Sequence, residues 1–140
     1  MYISGAQGKI LVPKYDEEGK VIILRLMTEN EEVIESVDMD KETASLLISL
    51  INNGVITAEN INKKFKREGV KLQKIQDVGT CFVNNNNRVS IAILPADEKR
   101  TASILIGFHK DDKHSSIIVK PKRAAYLGMI LTKIIISNIE

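Results

Sequence analysis

At 140 residues and 15.6 kDa the chain has the length of one domain, or of two small units sharing a core. Hydrophobic residues make up 44% and charged residues 27%, an ordinary globular balance that argues against bulk disorder, and a net charge of +2 excludes a wholly basic or wholly acidic chain. A single cysteine, Cys81, excludes an internal disulfide and a cysteine-cluster metal site, and 4% aromatic content without Trp limits base stacking.

In chain order, Lys9–Tyr15 reads as a strand, Asp16–Gly19 as a turn, Lys20–Met27 as a second strand and Thr28–Asn30 as a turn. Glu31–Met39 follows as a third strand. A helix from Asp40 to Asn52 is predicted from the spacing of Ala44, Leu47, Ile48 and Ile51, with Asn53-Gly54 as its stop. Residues 55–69 read as a helical connector with Thr57 as N-cap and Gly69 as stop. The same order then recurs: strand Val70–Val83, turn Asn84–Asn87, strand Arg88–Leu94, turn Pro95–Arg100 and strand Thr101–His109. Lys110–Lys113 turns into strand His114–Val119 and a helix from Pro121 to about Ser137, spaced by Leu127, Ile130, Leu131 and Ile134. The expected fold class is α+β. Two tandem antiparallel repeats, each of three or four strands and one helix, form one pseudo-two-fold domain: repeat one is 1–54, the connector 55–69 and repeat two 70–140. One helix covers only part of such a meander's apolar face, so two copies complete a core by exchanging helices or packing back to back.

Charge divides unevenly. Residues 1–53 hold five basic and ten acidic residues, a net of −5, whereas residues 54–140 hold fifteen basic and eight acidic, a net of +7. Three readings stay open: a polyanion preferring the second half, a charge pattern that serves solubility, or one half docking electrostatically on another copy. The helix starts separate the halves further. Asp38-Met-Asp40-Lys-Glu42 complements the positive end of a helix dipole, whereas Lys120-Pro-Lys122-Arg123 sets three cations against it. Such placement costs about 0.3–1 kcal/mol per group, which points to an offsetting anion such as a phosphate; solvated cations at a surface corner are the alternative.

Strand alternation puts Val89, Ile91, Ile93, Ile104, Ile106 and Phe108 on a core face. The opposite face gathers Lys74, Gln76, Arg88, Ser90, Ser103, His109, Ser116 and Lys120. Small polar residues rimmed by cations suit a single strand of DNA or RNA, with Phe82 as a stacking partner. The matching face of the first half, Val21, Ile23, Arg25 and Met27, is apolar and reads as a contact surface.

Strands followed by one long helix, repeated, resemble the Pur repeat and the wider Whirly-like group of single-stranded nucleic-acid-binding folds. The closest stretch runs from Ser115 through Ile117, Val119, Lys120, Pro121, Lys122 and Arg123 to Leu131. It is similar to the last strand and helix of a Pur repeat. The pattern covers about residues 8–53 and 71–137. The resemblance implies single-stranded DNA or RNA bound on the sheet and pairing through helices; this chain differs in its few sheet aromatics and its acidic first half.

Catalytic constellations are thin. His109 and His114 flank the turn Lys110–Lys113, where two imidazoles and a carboxylate are available to a metal, but such a turn reads first as a solvated hairpin tip and no metal is assigned. Asp97-Glu98 and Glu17-Glu18 lie in turns without an apolar pocket, and Cys81 reads as a small core residue. No phosphate-binding glycine loop or dinucleotide fingerprint occurs, so neither an enzyme nor a cofactor is expected. The most apolar run, Leu127–Ile136, is shorter than the ~20 residues of a membrane span and is interrupted by Thr132 and Lys133. A soluble cytoplasmic protein without membrane attachment is expected. The C-terminal helix is apolar nearly all round, which predicts burial on more than one side and a homodimer.

The function expected from sequence is non-enzymatic binding of single-stranded DNA or RNA. The residues expected to carry it are Lys74, Arg88, Ser90, His109, Lys120, Lys122 and Arg123. A homo-oligomeric protein-interaction module without nucleic-acid binding is the alternative.

Overall fold

In the computed structural model, which describes residues 1–97 and 100–139, two helices and two sheets share one core. The first sheet takes its strands in chain order: β1 (Ile3–Ser4), β2 (Lys9–Asp16), β3 (Val21–Thr28) and β4 (Val33–Met39). Helix α1 (Lys41–Glu68) follows. The second sheet, also in chain order and antiparallel, is β5 (Gln76–Phe82), β6 (Asn87–Leu94), β7 (Ser103–Lys110) and β8 (Lys113–Val119), and α2 (Pro121–Ser137) closes the fold. The α+β class is therefore as expected. The strand β1 and the one-turn 3₁₀ segment Ala6–Gly8 are additions, too short to leave a periodic signal in sequence.

The first helix corrects the sequence reading most. Asn53-Gly54 does not end it, and Thr57 is no N-cap: α1 runs unbroken for 28 residues from an Asp40 N-cap to Gly69 in the left-handed region at φ 71°. The buried positions Ala44, Leu47, Ile51, Gly54, Val55 and Ala58 form one stripe across the expected break. Gly54 sits where the helix meets the second sheet. A Cβ there would lie 3.2 Å from Ile91 Cγ2 and 3.6 Å from Ile104 Cδ1, so the missing side chain permits the contact. The helix-interior glycine costs about 1 kcal/mol in propensity, and close packing on β6 and β7 offsets it.

The helices exchange sheets. α1 lies on β5, β6 and β7, where its Leu50 packs against Gly79 and its Thr43 carbonyl accepts from the buried Cys81 Sγ at 3.4 Å. Asn62 clasps the approach to β7: its Nδ2 donates to Ala102 O at 3.2 Å and its Oδ1 accepts from Ala102 N at 2.9 Å. α2 packs on α1 and on β1 and β2 of the first sheet, and Lys41 Nζ at the start of α1 donates to Asn138 O just beyond its end. The two helices cross where Gly128 faces Ile51 and Asn52. Core faces follow the period of two: Leu11, Ile22, Leu24, Leu26, Val37 and Met39 from the first sheet meet Val89, Ile91, Ile93, Ile104, Ile106 and Phe108 from the second.

Three further expectations change. Strand β5 begins at Gln76 rather than Val70, because residues 70–75 pair with no neighbouring strand. A bulge between Asp77 and Gly79 sets Gln76 opposite the core-facing Ile93, so Gln76 leaves the polar face. α2 is not enclosed all round: Met129 is 67% and Ile136 63% exposed, because α1 and the first sheet cover only one side. No helix among the described residues is long and apolar enough to cross a membrane.

Replacing Gly54 by Val forces branched methyls against Ile91 and Ile104. The variant is expected to unfold with a stability loss of about 1–3 kcal/mol in urea denaturation. An unchanged midpoint would mean that the helix does not pack on the second sheet at this point.

Candidate nucleic-acid interface

The outer face of the second sheet is built from cross-strand rows. Phe82, Arg88, His109 and His114 form one row; Thr80, Ser90, Gly107 and Ser116 form the next; Asp77, Ala92, Leu105 and Ile118 form the third. The middle row is small and polar. Phe82, 68% exposed, stands beside Arg88 at one end of the first row, the position expected of a stacking aromatic.

A side-chain chain crosses the centre of this face. Ser90 Oγ lies 2.9 Å from His109 Nε2, and His109 Nδ1 lies 2.7 Å from His114 Nδ1. Gly107 makes room for it, since a Cβ there would come within 2.6 Å of Ser90 Oγ and 2.9 Å of His109 Nε2. One proton suffices for the short nitrogen–nitrogen contact. Two fully protonated rings would turn two N–H groups on each other, so the contact belongs to a pair with at least one neutral imidazole. Partial burial, followed by the charges of Arg88 and His114, holds His109 below the ordinary histidine value of 6.5. Among the described residues no three His, Cys, Asp or Glu side chains gather as a metal site.

At one corner of this face α2 begins. Lys120 is its N-cap, makes no side-chain cap bond, and is followed by Pro121 with no acidic residue in the first turn. α1 starts differently: Asp40 Oδ1 accepts from Thr43 N at 2.7 Å, which holds its carboxyl below the usual value. The α2 start thus presents free backbone N–H groups ringed by cations. Arg100, Lys120 and Arg123 line a cavity of about 330 Å³ with Ser4 and Ser103 at its wall. Arg100 is held there by an Asp97–Arg100 turn, in which its backbone N–H donates to Asp97 Oδ1 at 3.0 Å and its guanidinium lies 3.5 Å from Asp97 Oδ2. Its Nε is buried without a hydrogen-bond partner, a donor that an oxyanion would satisfy.

The structure brings Arg88, Ser90 and His109 together on the sheet, and Lys120 and Arg123 together at the corner. Lys122 faces a second cavity beyond Lys120, and Lys74 lies exposed in the coil before β5 rather than on the sheet. Ser103 is only 2% exposed and donates to Thr101 O, so it forms wall rather than contact surface. Arg100 is the member that sequence reasoning missed; it lines the cavity at the α2 start, held by Asp97 and two residues before Ala102, which Asn62 grips. Glu98 of the expected Asp97-Glu98 turn lies outside the described residues. Cys81 is buried, and burial together with the Asp40 charge pushes its thiol up, away from nucleophilic use.

Because folding lowers the His109 pKa, the unfolded chain binds this proton first as pH falls. Stability should therefore drop through the region just below 6.5 and level off once the folded site itself protonates. NMR titration should place His109 below 6.5, and Arg88→Gln should raise it; a His109 value at or above the ordinary one would contradict this electrostatic picture.

A scan against protein-family models finds no match to the chain, and a search of curated proteins finds no similar sequence.

Proposed function

We propose that this protein binds single-stranded DNA or RNA without catalysing a reaction, using the outer face of the second sheet and the start of α2. The observation that carries the reading is the convergence of Arg100, Lys120 and Arg123 on an uncapped helix start beside an unpartnered guanidinium nitrogen. A phosphate fits the donors there. From that anchor the small row Thr80, Ser90, Gly107 and Ser116 leaves room for bases, and Phe82 and Arg88 supply a stacking ring and a further cation. The fold is read here as two tandem copies related by a pseudo-two-fold axis, in keeping with the Pur-like and Whirly-like resemblance, and its setting as the cytoplasm, where Cys81 remains a thiol.

A second reading, a homo-oligomeric interaction module, draws on a different surface. Leu46, Ile56, Met129 and Ile136 are each at least half exposed on the two helices. Pairing there leaves the second sheet's outer face open, so a homodimer is compatible with strand binding.

Anisotropy titration of labelled single-stranded oligonucleotides should show binding that weakens steeply with salt. Changing Lys120, Lys122 and Arg123 together to Ala should flatten the salt slope by about 0.7 per lost phosphate contact and weaken all sequences alike. Phe82→Ala should cost about 1–3 kcal/mol in affinity. Salt-independent or absent binding would instead leave the oligomer reading, which sedimentation would register as a concentration-dependent assembly.

A further inference from the structure

The corner at Lys120 has a second side. α1 continues past Gly54 and runs beside the α2 start, where Glu59, Lys63 and Lys66 border a cavity of about 790 Å³ together with Phe65, Lys120 and Lys122. Lys120 lines this cavity and the smaller Arg100–Arg123 cavity alike, so the two meet at one side chain. Among the described residues none of Lys63, Lys66, Lys120 and Lys122 pairs with a carboxylate. Phe65 is 37% exposed, and Lys71 Nζ lies 5.5 Å from its ring centroid.

Helix electrostatics account for only part of this cluster. The negative end of the α1 dipole favours cations in its last turn, where Lys66 and Arg67 stand. That field falls off before Lys63, and Lys122 sits at the opposite, disfavoured end of α2. Four unpaired lysines around a groove holding an aromatic ring match a sugar–phosphate backbone with an unstacked base.

We infer that a bound single strand does not end at the α2 start but turns there and continues through this second cavity, its phosphates on Lys63, Lys66 and Lys122 and a base against Phe65. This rests on the single-strand reading above and adds to it the course and length of the bound strand.

The test uses deoxythymidine oligonucleotides from about 4 to about 16 nucleotides, a span that brackets single-strand site sizes. Affinity is measured across salt for the wild type, for Lys63→Ala/Lys66→Ala, and for Lys64→Ala/Arg67→Ala. The last variant removes equal charge from the same helix at residues that do not line the cavity. Thermal melting checks that all three fold. The Lys63/Lys66 variant should match the wild type within about twofold on the shortest strands. On the longest it should bind about 3- to 10-fold more weakly, with a salt slope smaller by about 1.4. The Lys64/Arg67 variant should stay near the wild type at every length. Equal effects of the two variants, or a loss independent of length, would overturn the continued course while leaving the sheet reading intact. Failure of the wild type to bind any strand would overturn the sheet reading and this extension with it.

Discussion

The packing of α1 across the second sheet is the contact on which the rest of the molecule depends. A helix ended at Gly54 would remove the buried Val55 and Ala58 from the helical stripe and Asn62 from the approach to β7. Continuing it has two consequences. Asn62 is carried to Ala102, which it grips through both amide atoms two residues beyond Arg100, and Arg100 lines the cavity beside the first turn of α2. The C-terminal half of α1 also brings Lys63 and Lys66 to the same corner. A packing requirement of the core thus places cations contributed by three separate stretches of chain around one helix start.

The exchange changes the meaning of the charge division. In sequence the net −5 of residues 1–53 stands against +7 for the remainder. In space the basic C-terminal half of α1, already part of the +7 portion, brings Lys63 and Lys66 beside Lys120 and Lys122 at the start of α2, so part of that positive charge gathers at one corner. The first sheet keeps its acidic turns, while Ile10 and Ile23 on its outer face are buried among neighbours outside the main core. Among the described residues two polar ties cross between the sheets: Lys110 Nζ lies 3.5 Å from Glu35 Oε1, and Lys9 Nζ donates to Ser116 O at 2.9 Å.

Much of this was legible in the residues. Seven of the eight strands follow from β-branched runs between Asn, Asp, Gly and Pro turns, and Pro121 marks the start of α2. Period-two alternation placed Arg88, Ser90 and His109 on one face and Phe108 on the other. Asn53-Gly54 misled because a glycine serves both as a helix stop and as a point of close approach, and only the tertiary partner separates these roles. Lys74 has the parity of the polar face but precedes Gln76, the first paired residue of β5, so strand alternation does not govern it. Arg100, Lys63 and Lys66 left no local signal at all, since they come from stretches distant in sequence that meet at the α2 start only in the folded chain. The His109–His114 contact was visible as proximity across a turn, but its linkage to Ser90 over Gly107 required the cross-strand register.

Backbone amide shift mapping during titration with an unstructured single-stranded oligonucleotide tests the central claim most directly, because it reports location as well as binding. The largest changes should fall on the Phe82–Arg88–His109–His114 row and on Arg100 and Lys120–Arg123, with the first sheet's outer face unaffected. Changes confined to the first sheet or to the exposed helix face around Met129 and Ile136, or none at saturating oligonucleotide, would contradict it.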